Sequence, residues 1–198
     1  GAIAESFRIL RTNLRFKLHG GVKSANGEHT RHVITLTSFN ESAGKTFIAG
    51  NLAMSLVNAG KRVIVVDMDI RKGTISAAYG DRHNGLTNYL ADESYPIEKL
   101  IRKDAMAEGL DLIGAGTIAP NPAELLMSER LDALFAYLRK EYDYIIADNV
   151  PIGIIADGTI SNRIADLTIF VVRAGKLDKR QLPELEDLYQ EKKLENMA

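Results

Sequence analysis

The sequence predicts an α/β fold with a mostly parallel central sheet that has helices on both faces. Three apolar runs, at residues 62–69, 142–148 and 166–173, are continuous rather than alternating, as is typical of parallel strands covered on both sides. Segments with helical periodicity lie between these runs, at the spacing of strand–helix–strand units. With 198 residues and 45% hydrophobic content, the chain has the length of one domain and can bury a substantial core.

The first predicted element is an amphipathic helix over residues 1–18. Its apolar side chains recur at three- and four-residue spacing, at Ile3, Phe7, Leu10, Leu14 and Leu18. This spacing places them on one helix face. A β-rich run at 32–38 then predicts a strand, and residues 47–60 have helical periodicity with Gly60 as a stop. We therefore expect the order helix, strand, loop, helix.

Later segments continue the alternation. Residues 110–116 are a further strand candidate, and residues 123–142 predict one helix ahead of the strand at 142–148. Residues 183–195 form a charged helical pattern, with no closing strand after it, in which the sequence stops. We therefore expect a single domain over residues 1–198, truncated at its C-terminal end.

The composition excludes several classes of function. Twenty-five Lys and Arg against 26 Asp and Glu leave a net charge of -1, so no overall field favours nucleic acid or anionic lipid. The absence of cysteine excludes disulfides, thiolate nucleophiles, zinc ribbons and iron–sulfur ligation within this chain. No stretch approaches the roughly 18 apolar residues of a membrane-spanning helix. These features are compatible with a reducing cytoplasm, and we expect no nucleic-acid partner.

A segment that ends in Gly-Lys-Thr, residues 38–46, lies between a predicted strand and a predicted helix. Gly44 lets backbone N–H groups approach phosphate oxygens, Lys45 supplies a cation, and Thr46 offers a hydroxyl to magnesium. Phe39 stands where the pattern G-x-x-x-x-G-K-[ST] has its first glycine. The alternative is a helix cap with a solvated lysine, and the position between strand and helix favours a nucleotide site.

Carboxylates follow two of the apolar runs. Asp67 and Asp69 end the run at 62–69, and Asp148 ends the run at 142–148, as a Walker B carboxylate does. Because parallel strands gather ligand groups at their carboxyl ends, we expect these groups to converge on the Gly-Lys-Thr loop. Burying them without a cation is expensive, so magnesium binding or a protonated, base-like role explains them. The alternative is that each aspartate ends a strand and caps a helix.

Together these segments resemble those of the bacterial tyrosine kinases called BY-kinases, and the resemblance covers nearly the whole chain. In that family a Walker A loop, a Walker A′ motif that ends in Asp-x-Asp-x-Arg and a Walker B strand form the site. The matching segments here are residues 38–46, 64–71 and 145–148. The resemblance implies a P-loop NTPase fold related to the MinD and ParA ATPases.

Two further motifs look like those of the same family. Glu5, Arg8 and Arg11 match its E-x-x-R-x-x-R oligomerisation motif, and residues 121–126 match its N-P-[SA]-E-L-L segment. Steps of three place the charged side chains on one helix face, where a neighbouring subunit could be bound. The alternative is a solvated face with an internal Glu–Arg pair. The MinD and ParA branch carries a second, signature lysine where this chain has Asn40.

The resemblance implies an ATP- and Mg²⁺-dependent protein-tyrosine kinase domain that phosphorylates itself in trans within a ring-like homo-oligomer. The residues expected to bind the nucleotide are Ser42, Ala43, Gly44, Lys45, Thr46, Phe47 and Arg71. The expected metal ligands are Thr46, Asp67 and Asp148, and the expected catalytic residues are Lys45, Asp67 and Asp69. Asp67 is expected in the magnesium shell or activating the tyrosine hydroxyl, with Asp69 in support, and the two could be exchanged. Arg71 is expected to hold phosphate or to brace the carboxylates.

The same resemblance implies a role in capsule or exopolysaccharide synthesis and export. The expected partners are other copies of the chain, a tyrosine-rich C-terminal tail beyond Ala198 and a transmembrane polysaccharide co-polymerase segment. The tail is expected to carry the acceptor because the seven tyrosines of this chain are scattered. The implied location is the cytoplasmic side of an inner (cell) membrane protein.

Departures from the family pattern leave other functions open. Asn149, Val150 and Pro151 follow the Walker B aspartate where the family has Asp-x-Pro-Pro, and Thr74 stands where a regulatory tyrosine is often found. One alternative is a nucleotide-dependent assembly ATPase of the MinD or ParA type with little or no kinase activity. Another is a ParA-like partitioning ATPase that uses DNA or a membrane surface, against which Asn40 and the near-neutral charge argue.

Overall fold

The computed structural model describes residues 1–19, 31–79, 82–152 and 159–198. Within these residues one sheet contains six strands: β1 (His32–Thr37), β2 (Val63–Asp67), β3 (Arg102–Ala107), β4 (Leu110–Ile113), β5 (Tyr144–Asp148) and β6 (Leu167–Phe170). Their order across the sheet is β3-β4-β2-β5-β1-β6. The β3–β4 pair is antiparallel and the other neighbours are parallel. The predicted mostly parallel α/β fold is thus confirmed.

Helices cover both faces of this sheet. They are α1 (Ala2–His19), α2 (Lys45–Val57), α3 (Thr74–Ala78), α4 (Leu86–Ala91), α5 (Pro122–Leu126), α6 (Glu129–Glu141), α7 (Thr159–Ile164) and α8 (Leu182–Gln190), with short 3₁₀ helices at Ile97–Lys99 and Lys179–Gln181. In the described part of the chain no helix is both long and apolar enough to cross a membrane.

Alternate side chains of the strands enter two apolar layers, because successive strand residues point to opposite faces. Ile64 belongs to the layer that contains Leu134 of α6. Val65, the next residue of β2, belongs to the layer that contains Phe7 of α1 and Leu52 of α2. Burial of such side chains stabilises the fold by roughly 1.5–3 kcal/mol each. The continuous apolar runs of the sequence follow from this double burial.

The prediction of a single helix over residues 123–142 is wrong, because the segment forms two helices, α5 and α6, with a non-helical interruption between them. Ser128 has extended backbone angles, φ -69° and ψ 150°, and its hydroxyl donates to the Leu125 carbonyl at 2.8 Å. Arg163 donates to the carbonyls of Met127 and Ser128, both at 3.2 Å. The serine hydroxyl and the distant arginine therefore add hydrogen bonds to carbonyls at the interruption, where the regular pattern of a continuous helix is lost.

The C-terminal segment also differs from the prediction. Helix α8 ends at Gln190 rather than residue 195, and Lys192 has a positive φ of 52°. Met197 then pairs with Thr168 in a parallel bridge beside β6, while Leu194 is buried against Phe170. A short segment after the charged helix thus packs beside β6 through a single bridge.

Strand β3 was not predicted, and its irregular backbone explains why. Its pairing with β4 shifts register between Arg102 and Ala107, and Asp104 within it has a positive φ of 53°. The Asp104 carboxylate accepts a hydrogen bond from Gly109 N, and the backbone N–H of Asp104 donates to the Asp111 carboxylate. Side-chain bonds of this kind leave no period-two pattern in the sequence.

Candidate nucleotide-binding site

The loop between β1 and α2 is the predicted Gly-Lys-Thr loop. Gly44 lies directly before α2 with φ 103° and ψ 12°, a left-handed conformation that costs glycine little. Its carbonyl accepts the Ile48 N–H at 3.0 Å, which closes the first turn of the helix. The first N–H groups of α2 have no partner within the helix, and together with the helix dipole they form a site for an anion.

A cavity of about 280 Å³ lies at this helix terminus. It lies at the carboxyl ends of β1, β2 and β5, where parallel α/β sheets bind ligands. The residues that line it are Glu41, Ser42, Gly44, Lys45, Thr46, Asp69, Lys72, Thr74, Asp148, Asn149 and Pro151. The predicted convergence of the Gly-Lys-Thr loop with the two acidic strand ends is therefore present in the structure.

Asp148 lies beside the first turn of α2. Its Oδ2 accepts a hydrogen bond from Thr46 Oγ1 at 2.6 Å, and only 4% of the residue is exposed. Its Oδ1 is buried and accepts no hydrogen bond from the described residues. Burial raises the pKa of Asp148 to about 6, against the lowering effect of the Thr46 hydrogen bond.

Asp67 lies opposite Asp148 in the register of β2 and β5. Its carboxylate, however, accepts hydrogen bonds from Ser76 and Asp69. Its Oδ2 accepts from the N–H and the hydroxyl of Ser76 at 3.1 and 2.9 Å. Its Oδ1 accepts from Asp69 N at 3.2 Å. Burial raises the pKa of Asp67 to about 6, although the Ser76 hydrogen bonds lower it. Asp67 is not among the residues that line the cavity.

Asp69, in contrast, lines the cavity. Its Oδ1 and its carbonyl both accept from Lys72 N at 3.2 Å, so the loop after β2 turns around this carboxylate. Arg71, in the same loop, is not among the lining residues. Its Nε is buried and has no hydrogen-bond partner in the described parts of the chain.

Lys45 extends from the start of α2 to Ser38. Its Nζ donates to Ser38 Oγ at 3.2 Å, and the fully buried Ser38 donates in turn to the Asn40 carbonyl at 2.7 Å. Burial lowers the pKa of Lys45, while the carboxylates of Asp148 and Asp69 oppose that shift. A half-buried ammonium among carboxylates is suited to receive a dense negative charge.

The residues around Asp148 fit a magnesium ion. Its unpartnered buried oxygen and the Thr46 hydroxyl are the hard oxygen ligands that Mg²⁺ prefers. No group of three or more His, Cys, Asp or Glu side chains suited to a metal occurs in the described ranges. Mg²⁺ usually keeps several waters and takes one or two carboxylates plus phosphate oxygens, so a small protein ligand set is compatible with it.

Two residues of the predicted loop, and Phe47 just after it, are not among those that line the cavity. Ala43 packs in the apolar layer of α1 and α2. Phe47 is 57% exposed, and its ring lies edge-on to that of Phe7 with the ring centroids 6.0 Å apart. Phe39, which replaces the first glycine, packs against Phe170 with ring centroids 4.8 Å apart. The aromatic residue therefore joins the loop to β6 rather than filling the cavity.

The charged residues of α1 have separate environments. Arg8 pairs with Glu5 at 3.0 Å, and both side chains are mostly exposed. Arg11 instead donates to the Ser55 carbonyl at 2.5 Å and to its hydroxyl at 3.3 Å. Arg11 thus fastens α1 to α2 within the same chain, and only Glu5 and Arg8 of the predicted motif present exposed charge.

The sequence analysis did not name Ser38, Ser76, Glu41 or Lys72 among the binding residues, although Ser38 and Glu41 lie in the predicted loop. Ser76 also accepts the Ala115 N–H at 2.6 Å, so it joins Asp67 to the loop after β4. No spacing rule connects such residues, because their contacts arise from the tertiary fold. Glu41 and Lys72 had a weak signal, since Glu41 lies inside the expected phosphate loop, residues 38–46, and Lys72 directly follows the segment 64–71.

The family model of the AAA domain matches residues 31–189. The chain is 37% identical over 170 residues to the tyrosine-protein kinase wzc of Salmonella typhimurium, which covers 85% of this chain and 22% of that protein. It is 33% identical over 179 residues to the tyrosine-protein kinase YwqD of Bacillus subtilis, with 90% of this chain and 71% of that protein covered. The chain therefore spans about a fifth of the first relative and most of the second.

Among solved structures, the kinase domain of the Escherichia coli tyrosine kinase ETK is similar with a TM-score of 0.82 and 26% identity, over 98% of this chain and 73% of that chain. The septum site-determining protein MinD of Pyrococcus horikoshii, solved with Mg-ADP, gives a TM-score of 0.63 at 20% identity, over 85% of this chain and 68% of that chain. The second likeness shows the fold alone, and that fold is the one expected from the sequence.

Proposed function

The chain belongs to the bacterial tyrosine-protein kinase family, and we propose that it is an ATP- and Mg²⁺-dependent protein-tyrosine kinase domain. The observation that carries this proposal is the cavity at the N-terminus of α2, where Lys45, Thr46, Asp69 and Asp148 meet. Cation, hydroxyl, carboxylates and helix N–H groups at one place are the parts that phosphoryl transfer requires.

Each group has a distinct task in the proposed site. The N–H groups at the start of α2 and the Lys45 ammonium bind the phosphates of ATP. Thr46 and Asp148 hold Mg²⁺, which supplies neutralising charge to the phosphates when bound. Lys45 gives up its hydrogen bond to Ser38 for the nucleotide.

The roles of Asp67 and Asp69 follow from the chemistry of transfer to the tyrosine hydroxyl. The tyrosine oxygen forms a bond to the γ-phosphorus, the bond to the ADP oxygen breaks, and the hydroxyl proton passes to a carboxylate. Asp69 lines the cavity. In contrast, both carboxylate oxygens of Asp67 already accept hydrogen bonds, from Ser76 and from the Asp69 N–H. We therefore propose that Asp69 accepts the tyrosine proton and that Asp67 has a supporting role. The two aspartates thus take the exchanged roles that the sequence left open.

The setting of the whole protein is part of the same proposal. Relatives such as wzc are tyrosine-protein kinases of which this chain covers about a fifth. We propose that this chain works in capsule or exopolysaccharide synthesis, on the cytoplasmic side of the cell membrane, together with a transmembrane segment. Its acceptors are tyrosines in a tail beyond Ala198, phosphorylated in trans within a homo-oligomer.

A kinase assay tests this function. Phosphotyrosine is measured after the protein is incubated with ATP, Mg²⁺ and a tyrosine-containing copolymer. We expect incorporation by the wild type and by Lys140→Met, an exposed lysine of α6, and none by Lys45→Met. Equal incorporation by wild type and Lys45→Met would reject the assigned site.

The second candidate is a nucleotide-dependent assembly ATPase, favoured by the exposed Glu5–Arg8 pair of α1 and by Phe39 in the loop. The two functions differ in their response to Lys45→Met and Arg8→Ala. A kinase loses phosphotyrosine in the first variant. An assembly switch changes oligomer size in both, as measured by light scattering with and without ATP.

A further inference from the structure

We propose that Lys72 is a second phosphate-binding lysine of this site and that Glu41 is its counterion before nucleotide arrives. The proposal rests on the proposed nucleotide function. On ATP binding, the Lys72 ammonium leaves the Glu41 carboxylate for a phosphate oxygen, and Glu41 moves out to solvent.

The position of the pair is the first argument. Glu41 lies in the loop before α2 and Lys72 in the loop after β2, and both line the cavity. Lys72 Nζ and Glu41 Oε2 are 2.5 Å apart, with side chains 54% and 48% exposed. The ion pair therefore bridges two loops at the solvent-facing edge of the cavity that receives the phosphates.

The charges around Glu41 are the second argument. The Lys72 hydrogen bond and charge, followed by the charges of Arg71 and Lys45, hold the pKa of Glu41 below its usual range. One carboxylate thus lies in the field of three cations. A triphosphate carries more charge and more acceptor oxygens than a carboxylate, so it competes for the same ammonium.

The backbone of Lys72 supports such an exchange. Its N–H is held by the carbonyl and the carboxylate of Asp69, and the next N–H, of Gly73, also donates to the Asp69 carbonyl at 2.6 Å. The base of the side chain is therefore fixed, while the flexible four-carbon stem can turn. Exposed ion pairs contribute little to stability, so breaking this one costs little.

The start of the Gly-Lys-Thr loop supplies no second cation. Asn40 lies there, and its amide donates to Gln181 Oε1 at 3.2 Å, beside α8. Lys72 comes from a different loop and reaches the same cavity. Two lysines therefore line the cavity among the described residues, Lys45 at the helix start and Lys72 in the loop after β2.

The test measures the Kd of Mg²⁺ with a fluorescent ATP analogue for the wild type, Glu41→Gln, Lys72→Gln and the double variant. We expect Lys72→Gln to weaken binding at least roughly tenfold, since it removes one charge-assisted hydrogen bond. Glu41→Gln should tighten binding about two- to fivefold, because it frees Lys72. In the Lys72→Gln background the Glu41→Gln gain should vanish, because Glu41 acts through Lys72.

A matched control is Lys193→Gln, which removes a lysine of similar exposure from its ion pair with Glu191 and should leave Kd unchanged. Unchanged affinity in Lys72→Gln would overturn the proposal, and so would weaker binding in Glu41→Gln. A Glu41→Gln gain that persists at full size in the double variant would also overturn it. Absence of binding by the wild type would instead reject the proposed function itself, which separates the two failures.

Discussion

The hydroxyl of Thr46 donates a 2.6 Å hydrogen bond to Oδ2 of Asp148, and this contact joins the first turn of α2 to the end of β5. The other oxygen of Asp148 is buried without a partner among the described residues. A carboxylate so placed is costly to the protein alone and becomes favourable when a cation arrives. The site is thus built at the expense of stability in the nucleotide-free state.

Replacement of Asp148 by asparagine should separate stability from binding. The pKa rise from 3.8 to about 6, for which burial is the largest cause, corresponds to a net cost of about 3 kcal/mol for the charged form at neutral pH. Asp148→Asn should therefore unfold at higher temperature without nucleotide, yet bind Mg²⁺–ATP at least roughly tenfold more weakly. Calorimetry of unfolding and of binding measures both effects. A variant less stable than the wild type at pH 7 would contradict the burial argument.

The pH dependence of that difference follows from the sign of the pKa shift. The folded protein holds the Asp148 proton more tightly than the unfolded chain does. The loss of folding stability that comes with ionisation of Asp148 therefore develops as pH rises from about 4 to about 6. The stability advantage of Asp148→Asn over the wild type should be full at pH 7 and disappear near pH 4. Urea unfolding of both proteins across this range measures it, and a difference independent of pH would reject the assignment.

Ser76 is expected to hold Asp67 in place. Ser76→Ala removes one hydrogen bond to Asp67 Oδ2 and leaves the Ala115 N–H without its acceptor. The free energy of unfolding should fall by about 1–3 kcal/mol, because buried polar groups lose their partners. The control is Ser94→Ala, whose hydroxyl bonds to Asp92 at the surface. Equal losses in the two variants, measured by urea unfolding, would remove the special role of Ser76.

The central groups of the site could be predicted because they occupy defined positions of a parallel sheet. Gly44, Lys45 and Thr46 lie between strand and helix, and Asp148 ends an apolar strand, so local pattern and topology together place them. Ser76 could not be predicted in the same way. Its role depends on the distance at which α3 passes Asp67 and the loop after β4, which no local spacing encodes.

Phe39 should matter for stability and little for nucleotide binding. Its ring packs on Phe170 at 4.8 Å, outside the residues that line the cavity. Phe39→Ala should cost about 2 kcal/mol of stability, since it removes an aromatic pair and partly buried apolar surface. The ATP affinity should change less than about threefold. The control is Phe16→Ala, a ring 74% exposed; a tenfold loss of affinity in Phe39→Ala would show that the residue shapes the phosphate loop.

Arg8 and Arg11 should behave differently although they belong to one motif. Arg11→Ala removes hydrogen bonds from a charged donor to Ser55, so we expect a loss of about 1.5–3 kcal/mol. Arg8→Ala removes only an exposed pair with Glu5 and should change stability by less than about 0.5 kcal/mol. Thermal unfolding at one protein concentration tests the contrast. Equal effects would mean that the α1–α2 contact of Arg11 is not formed in solution.

The errors in the predicted elements have physical causes of the same kind. The break at Ser128 depends on Arg163, which lies 35 residues further along the chain. Strand β3 is held by side-chain bonds of Asp104 and Asp111 rather than by an alternating apolar pattern. In both places a tertiary contact outweighs the local preference that the sequence pattern records.

The central claim, that Lys45 and its neighbours transfer phosphate to tyrosine, is tested most directly by mass spectrometry. Phosphotyrosines are mapped on the full-length protein, wild type and Lys45→Met, after incubation with ATP and Mg²⁺. We expect several phosphotyrosines in the wild type, concentrated beyond Ala198, and none in the variant. No phosphotyrosine in the wild type, or the same sites at the same occupancy in Lys45→Met, would contradict the claim.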